Sequence, residues 1–404
     1  MTTPHAYPDP HAPMTLLGGL TPARFLRDYW QQRPLLVRQA LPGFESPLSP
    51  EELAGLACEE TVISRLVKEH VAEGGWAVRH GPFDEADFTG LPETHWTLLV
   101  SDLEKHLPEL RRYLEPFRFI HDWRMDDLMV SYAVPGGSVG PHVDQYDVFL
   151  LQAHGRRRWQ IDTRPVAGDN FLPDQTLRIL RSFDPEEDWV LEPGDMLYLP
   201  PQIAHHGVAE GPCMTWSIGF RAPAWRDLLA AWVDERYAAM SGDARYEDPA
   251  RPPATDPGEI PPADLAQLIS GMREAMSADD RELGRWLGRH LTEPKGELLD
   301  IMKLPESMSP DAASQVLDGA SRLERHGAAR LAWIGGLQCV HLYVNGREHT
   351  LPPESAVLVR LLCGALDYDA QALQSAAAPV PGGAELLLEL CAAGVLLPVA
   401  GDER

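Results

Sequence analysis

Three residues of this chain have the types and order to hold a divalent metal: His142, Asp144 and His205. His142 and Asp144 stand two apart, and alternate side chains of an extended strand share a face. One imidazole and one carboxylate on one face form a two-point clamp, although a lone His-x-Asp is a common accident. A third donor must arrive from elsewhere in the chain. Ala204-His205-His206-Gly207 can supply it, and because neighbours in a strand face opposite ways, only one of the two histidines can join the clamp.

The text around these residues is consistent with such a site. Gly136-Gly-Ser-Val-Gly140 makes a flexible turn before Pro141-His142. Glu192-Pro-Gly-Asp-Met-Leu-Tyr-Leu-Pro-Pro201 reads as a turn, an apolar strand and a rigid diproline stop before the second histidine pair. That order is the second half-motif of cupin-type barrels. Two histidines plus one carboxylate leave metal positions open, the arrangement used by non-haem Fe(II) oxygenases.

Arg156-Arg157-Arg158-Trp159-Gln160-Ile161 invites a nucleic-acid reading, since three arginines adjoin an aromatic ring. Parity gives another. Arg157 shares its face with Trp159 and Ile161, the apolar side, which points it into the barrel. A guanidinium there needs an anionic partner. A dicarboxylate cosubstrate could supply it through a bidentate pair, and so could an internal Asp or Glu.

Short β-rich runs must position these residues. They are expected at Leu128–Val134, Val148–Gln152, Arg156–Ile161, Trp189–Leu191, Met196–Leu199 and Cys213–Phe220, the pattern of a sandwich or barrel. Before them, Leu16 to about Val100 reads as helices and turns, with Thr21 and Ser49-Pro50 as helix starts. After them, Trp225–Met240 and Ala263–Ile301 read as helical, joined by a Pro- and Asp-rich stretch from Gly242 to Pro262. Pro305 and Pro310 mark a break. A β-hairpin is expected over Leu331–Leu351, turning at Asn345-Gly346, then helices and a terminal strand, an order that suits a small winged-helix-like unit.

The fold class is therefore mixed α and β, with residues 1–14 a disordered tail and 15–223 a catalytic domain. Residues 224–305 form a helical region and 306–404 the winged-helix-like domain. No apolar run approaches the ~18 residues needed to span a bilayer. Five scattered cysteines, none in a CxxC pair, argue against a disulfide framework and suit a reducing cytoplasm. Sixty acidic against 35 basic residues give a net charge of -25, which repels nucleic acid and anionic lipid and attracts basic partners.

The string Val134-Pro-Gly-Gly-Ser-Val-Gly-Pro-His142-Val-Asp144-Gln-Tyr-Asp-Val-Phe149 closely resembles the bacterial JmjC-type ribosomal oxygenases. Its nearest likeness is to the YcfD-type ribosomal protein arginine hydroxylases. The likeness continues in Gly155-Arg-Arg-Arg-Trp159, Leu191-Glu-Pro-Gly-Asp-Met-Leu-Tyr-Leu-Pro-Pro201 and Ser217-Ile-Gly-Phe-Arg-Ala-Pro223. It is dense from about Phe25 to Pro223 and thinner afterwards. The resemblance implies a double-stranded β-helix, the cupin or JmjC jelly roll, binding Fe(II) and 2-oxoglutarate and consuming O2. It further implies a helical dimerisation region, hence a homodimer, and a C-terminal winged helix. Its iron ligands fall on His142, Asp144 and His205, its cosubstrate arginine on Arg157 and a supporting hydroxyl on Ser131. His206 replaces a glutamate of the nearest relatives, and His154 stands where a small polar residue is expected.

The activity implied is hydroxylation of an arginine on a large-subunit ribosomal protein of the L sixteen type, a basic partner suited to an acidic enzyme. Tyr146 and Asp147 are candidates to line the substrate cleft. Rival readings are a JmjC-type demethylase and a non-catalytic cupin sensor with a DNA-binding module. The second is disfavoured because Pro352–Arg404 holds only Arg360 and Arg404 as basic residues.

Overall fold

The computed structural model describes residues 7–69, 75–173, 177–242, 245–249, 253–254, 257–294, 298 and 308–399. Eleven strands build the first half: β1 (Leu35–Val37), β2 (Ser64–Glu69), β3 (Trp76–His80), β4 (Trp96–Val100), β5 (Met125–Ala133), β6 (Asp147–His154), β7 (Arg157–Asp162), β8 (Glu187–Leu191), β9 (Met196–Leu199), β10 (Ala204–Ala209) and β11 (Cys213–Phe220). Eight pair antiparallel in the order β1-β9-β6-β11-β5-β4-β2-β3, and a smaller sheet runs β10-β7-β8. The two face each other as a jelly roll. The six expected runs are all strands, displaced by a residue or a few at their ends.

The N-terminal region corrects the sequence reading. Helices do start at Thr21, whose hydroxyl accepts from the Arg24 amide, and at Ser49, which forms a capping box with Glu52. Between and after them, however, β1 to β4 extend the large sheet. These short runs lack clean alternation, and their identity comes from pairing with β5 and β9 rather than from local pattern. Residues 7–14 are not a free tail either: the Ala23 amide bonds Pro10 O, and the Arg118 guanidinium lies 5.2 Å over the Tyr7 ring.

Period-two alternation divides the large sheet between two tasks. Leu128, Val130, Phe149, Leu151, Trp216, Ile218 and Phe220 point outward into a core with the N-terminal helices and their neighbouring turns. Val148 and Leu150 point the other way, against Trp159, Ile161 and Leu191 of the small sheet. Phe149 is fully buried at the centre of the outer core, 4.9 Å from both the Phe117 and Tyr198 rings and 5.6 Å from Phe25.

Beyond the barrel, helices run Trp225–Ala239, Pro262–Met276 and Asp280–Thr292. The expected single run from Ala263 breaks at Ser277, and Asp279 caps the next helix by accepting from the Glu282 amide. The end of that run, with Ile301 and Pro305, falls outside the described residues. Pro310 does not break a helix but starts one (Pro310–Gly319), with Ser309 as its cap.

The terminal unit holds β12 (Arg322–Arg325), β13 (Leu331–Gly335), β14 (Val340–Val344), β15 (Arg347–Leu351), β16 (Asp367–Asp369) and β17 (Leu396–Pro398). Asn345 and Gly346 both take positive φ, the two-residue turn expected between β14 and β15. Helix Asp280–Thr292 packs on this sheet through Arg285–Glu348 and through Gly288 against the Tyr343 ring. It thus sits with the winged-helix unit, although the sequence grouped it with the preceding helical region.

Phe149→Ala removes an aromatic ring from a core that cannot collapse around it. Urea unfolding should show a loss of about 3–5 kcal/mol, with the slope unchanged.

Candidate active site

The backbone brings the three proposed ligands together before any side chain is considered. His142 and His205 form an isolated antiparallel bridge, each amide donating to the other's carbonyl at 3.0 Å. The Gln202 amide donates to Asp144 O at 2.7 Å and holds the next turn of the loop in place. Gly140 permits the approach: its φ is +80°, and a Cβ there would lie 2.5 Å from Ile179 Cδ1.

Each histidine is oriented through its far nitrogen. Nδ1 of His142 donates to Gly140 O at 2.8 Å, and Nδ1 of His205 donates to Ile203 O at 2.9 Å. Both Nε2 atoms are thereby left as acceptors facing one point. They stand 3.8 Å (His142) and 3.6 Å (His205) from Asp144 Oδ2. A cis pair of metal donors at about 2.1 Å stands about 3 Å apart, so slight closure completes the site. Burial, then the neighbouring His142, pushes His205 down to about 4, which keeps it a neutral ligand at pH 7. Among the described residues this is the one such three-donor group.

The metal point opens on a cavity of about 780 Å³ between the sheets, lined by His142, Asp144, His205, Arg157, Ser131, Thr215 and Ser217 among others. Arg157 is 3% exposed and lies in this interior, as parity requires. Its Nη1 reaches Ser131 Oγ at 3.5 Å and its Nη2 donates to Gly207 O at 3.2 Å. Nε is buried without a hydrogen-bond partner among the described residues. No carboxylate within ion-pair distance answers its charge there, so the internal Asp or Glu partner is excluded among the described residues. Trp159 flanks the guanidinium at 5.2 Å, and Gly207 makes room for both, since a Cβ would press on the ring and on Nε. Desolvation lowers the Arg157 pKa, the mark of a buried cation lacking its anion.

The flanking arginines do something else. Arg156 pairs with Glu210 at 3.2 Å and Arg158 with Asp188 at 3.4 Å, both on the outer face. His206 also lies outside, edge-on to Phe183, and burial pushes it down to about 4. His154 is exposed at the end of β6, away from the cavity.

Of the two cleft candidates, Tyr146 lines the cavity and Asp147 does not. Asp147 is fully buried on the opposite face, accepting from Tyr198 at 2.7 Å, Gln31 at 2.9 Å and Arg124 at 3.2 Å. The pair straddles a strand start, so one points in and its neighbour out. Asp127 is the residue that sequence reasoning missed. It shares a face of β5 with Met129 and Ser131, and all three line the cavity. Counting back in twos from Ser131 would have found it.

Comparison with known proteins adds what geometry cannot. Residues 112–228 match the JmjC domain family and residues 275–397 the ROXA-like winged helix. The chain is 38% identical over 333 residues to the ribosomal protein uL16 3-hydroxylase of Escherichia coli, covering 82% of this chain and 86% of that protein. It is therefore a JmjC-type ribosomal oxygenase. A probable ribosomal oxygenase of Haemophilus influenzae is 46% identical over 52% of each chain. The crystal structure of E. coli YcfD superposes with a TM-score of 0.79 at 34% identity, over 94% of this chain and 98% of that one. A further YcfD structure, in complex with cobalt and 2-oxoglutarate, matches with a TM-score of 0.75 at 33% identity. The YcfD match also establishes the winged-helix architecture of the C-terminal unit in this ribosomal oxygenase.

Gly140→Ala strains a positive φ and displaces the carbonyl that orients His142. Calorimetric titration with Co(II) should show affinity reduced about 10- to 100-fold, the usual cost of losing an orienting partner.

Proposed function

We propose that this oxygenase uses Fe(II), 2-oxoglutarate and O2 to hydroxylate an arginine side chain of a large-subunit ribosomal protein. The observation that carries the reading is the buried Arg157, lacking a carboxylate and facing the same cavity as His142, Asp144 and His205. A cavity holding a guanidinium with no carboxylate partner and a two-histidine, one-carboxylate clamp suits a dicarboxylate that also reaches the metal. Arg157 with Ser131 would grip the distal carboxylate, while the triad holds the ion.

Bound there, the metal with cosubstrate and O2 supplies the oxidising power for attacking an unactivated carbon. The chain's own contribution is positioning. The sheets exclude water around Arg157, Trp159 shields one side of it, and the His142–His205 bridge fixes both imidazoles. Asp127 stands four residues along β5 from Ser131, about 13 Å away at strand rise. With Tyr146 it offers a carboxylate and a ring to an incoming guanidinium. The net charge of -25 favours encounter with a basic ribosomal protein.

The same reading extends to assembly and place. Helices Trp225–Ala239 and Pro262–Met276 expose Trp225, Leu229, Val233, Leu265, Leu268 and Met272. Apolar surface of this kind on two adjacent helices supports a homodimer. No helix among the described residues is long and apolar enough to cross a membrane; the proposed ribosomal-protein substrate supports a cytoplasmic location. Residues 352–404 hold only Arg360 and Arg404 as basic residues, and Arg360 stacks at 5.5 Å over Trp333, which supports a role other than DNA binding.

Incubation with ribosomal-protein peptides should convert 2-oxoglutarate to succinate and add one oxygen to an arginine peptide by mass spectrometry. His142→Ala and Asp144→Ala should reduce turnover by at least about a thousandfold. Arg157→Ala should raise the KM for 2-oxoglutarate by at least about a hundredfold. Wild-type turnover in the triad variants would sink the metal assignment, and loss of a methyl group instead of oxygen gain would make the enzyme a demethylase.

Leu229→Asp combined with Met272→Asp places charge on the exposed helical face. Sedimentation velocity should show a dimer in the wild type and a monomer in the variant; a monomeric wild type removes the proposal.

A further inference from the structure

The winged-helix unit contains a second arrangement of reactive groups, unconnected with the metal site. Cys339, immediately before β14, continues the alternation of His341 and Tyr343 on the strand, whose face is covered by helix Asp280–Thr292. Cys339 Sγ lies 3.2 Å from His341 Nε2. On its other side, His341 Nδ1 lies 2.7 Å from Glu348 Oε1, on the neighbouring strand β15. Glu348 is itself fixed, accepting from Arg285 Nε at 2.7 Å and lying 3.5 Å from Arg289 Nη1. Thr350 Oγ1 stands 3.3 Å from His341 Nδ1 and adds a second restraint on the ring.

This is a thiol, a base and an acid in series, with the base oriented by the acid. Glu348 accepts from Nδ1, so Nε2 carries the lone pair and faces the thiol. His341 is 8% exposed, whereas Cys339 is half-buried beside a turn whose Leu337 is fully exposed. The base is thus more shielded than the cysteine it faces. A structural reading as a zinc site fails, because Glu348 is already held by two arginines and the three donors do not surround one point.

We propose that Cys339 is a modification site for small hydroperoxides, activated by His341 and Glu348. The thiol proton passes to His341 Nε2, and the sulfur attacks the terminal peroxide oxygen. The S–O bond forms as the O–O bond breaks, and the leaving oxygen takes the proton from His341. Hydrogen peroxide would give a sulfenic acid and one water; sulfur is oxidised by two electrons and the peroxide is reduced. The other cysteines supply internal controls. Cys213 and Cys391 are buried, and burial pushes up the thiols of the half-buried Cys58 and Cys363.

The test uses the full-length protein with no variant at first. Iodoacetamide alkylation, followed peptide by peptide by mass spectrometry, should label Cys339 about a hundredfold faster than Cys58 or Cys363, the lower range for a positioned base. Sub-stoichiometric hydrogen peroxide with dimedone should place the first adduct on Cys339. His341→Gln, checked by circular dichroism for an intact fold, should bring its rate down to that of the other half-buried cysteines. A wild-type Cys339 rate within about threefold of Cys58, or a folded His341→Gln with unchanged rate, overturns the proposal. The comparison among wild-type cysteines decides even where the variant does not fold.

Discussion

The backbone pair His142–His205 is the constraint on which the site depends. Two amide-to-carbonyl bonds of 3.0 Å hold a loop following the large sheet against β10 of the small one. Because the bond is between main chains, it fixes the Cα positions of two ligands regardless of side-chain rotamer. Asp144 then follows at the spacing that returns it to the same side. Nothing comparable would arise from placing three donors on independent loops, where errors of an ångström add. The small sheet is therefore more than a cover: its pairing with the loop determines where the metal point lies.

A second constraint is electrostatic. A barrel interior is normally apolar, and here a guanidinium with little exposure sits beside Trp159. Leaving that charge unanswered carries a desolvation penalty, which appears as the lowered Arg157 pKa. A fold can tolerate the penalty where a ligand removes it. The same arrangement gives selectivity, since a neutral or monoanionic ligand would satisfy either the metal or the guanidinium and leave the other bare. The two ends of the cavity thus define a ligand with two acidic functions.

How much of this was legible from sequence depended on whether the signal was local. The His-x-Asp spacing, the inward direction of Arg157 and the Asn345-Gly346 turn follow from parity and turn chemistry over a few residues, and all appear in the structure. The identity of β1 to β4 as strands was not legible, because Leu35–Val37 or Trp96–Val100 acquire their state from pairing partners distant in the chain. Asp147 misled for a related reason. Its neighbour Tyr146 lines the cavity, and only the start of β6 at Asp147 itself reverses the direction of the next side chain. Helix Asp280–Thr292 could not be assigned to its unit from amphipathicity, since its apolar face states that it packs but not on what.

On the proposed function, the large sheet also bears on how a protein substrate and a small cosubstrate would share one cavity. Its outward residues are committed to a core with the N-terminal elements, so the sheet cannot flex to admit bulk. Asp127, Tyr146 and Arg65 line the cavity along the strands from Ser131, and on the proposed reading a substrate would enter from that end. A long, flexible side chain with a polar tip can enter such a channel while its backbone stays outside. A side chain shorter than the channel would leave its reactive carbon remote from the metal point. On the proposed reading, the depth between Asp127 and Ser131 would act on substrate choice before any contact with the reacting carbon is made.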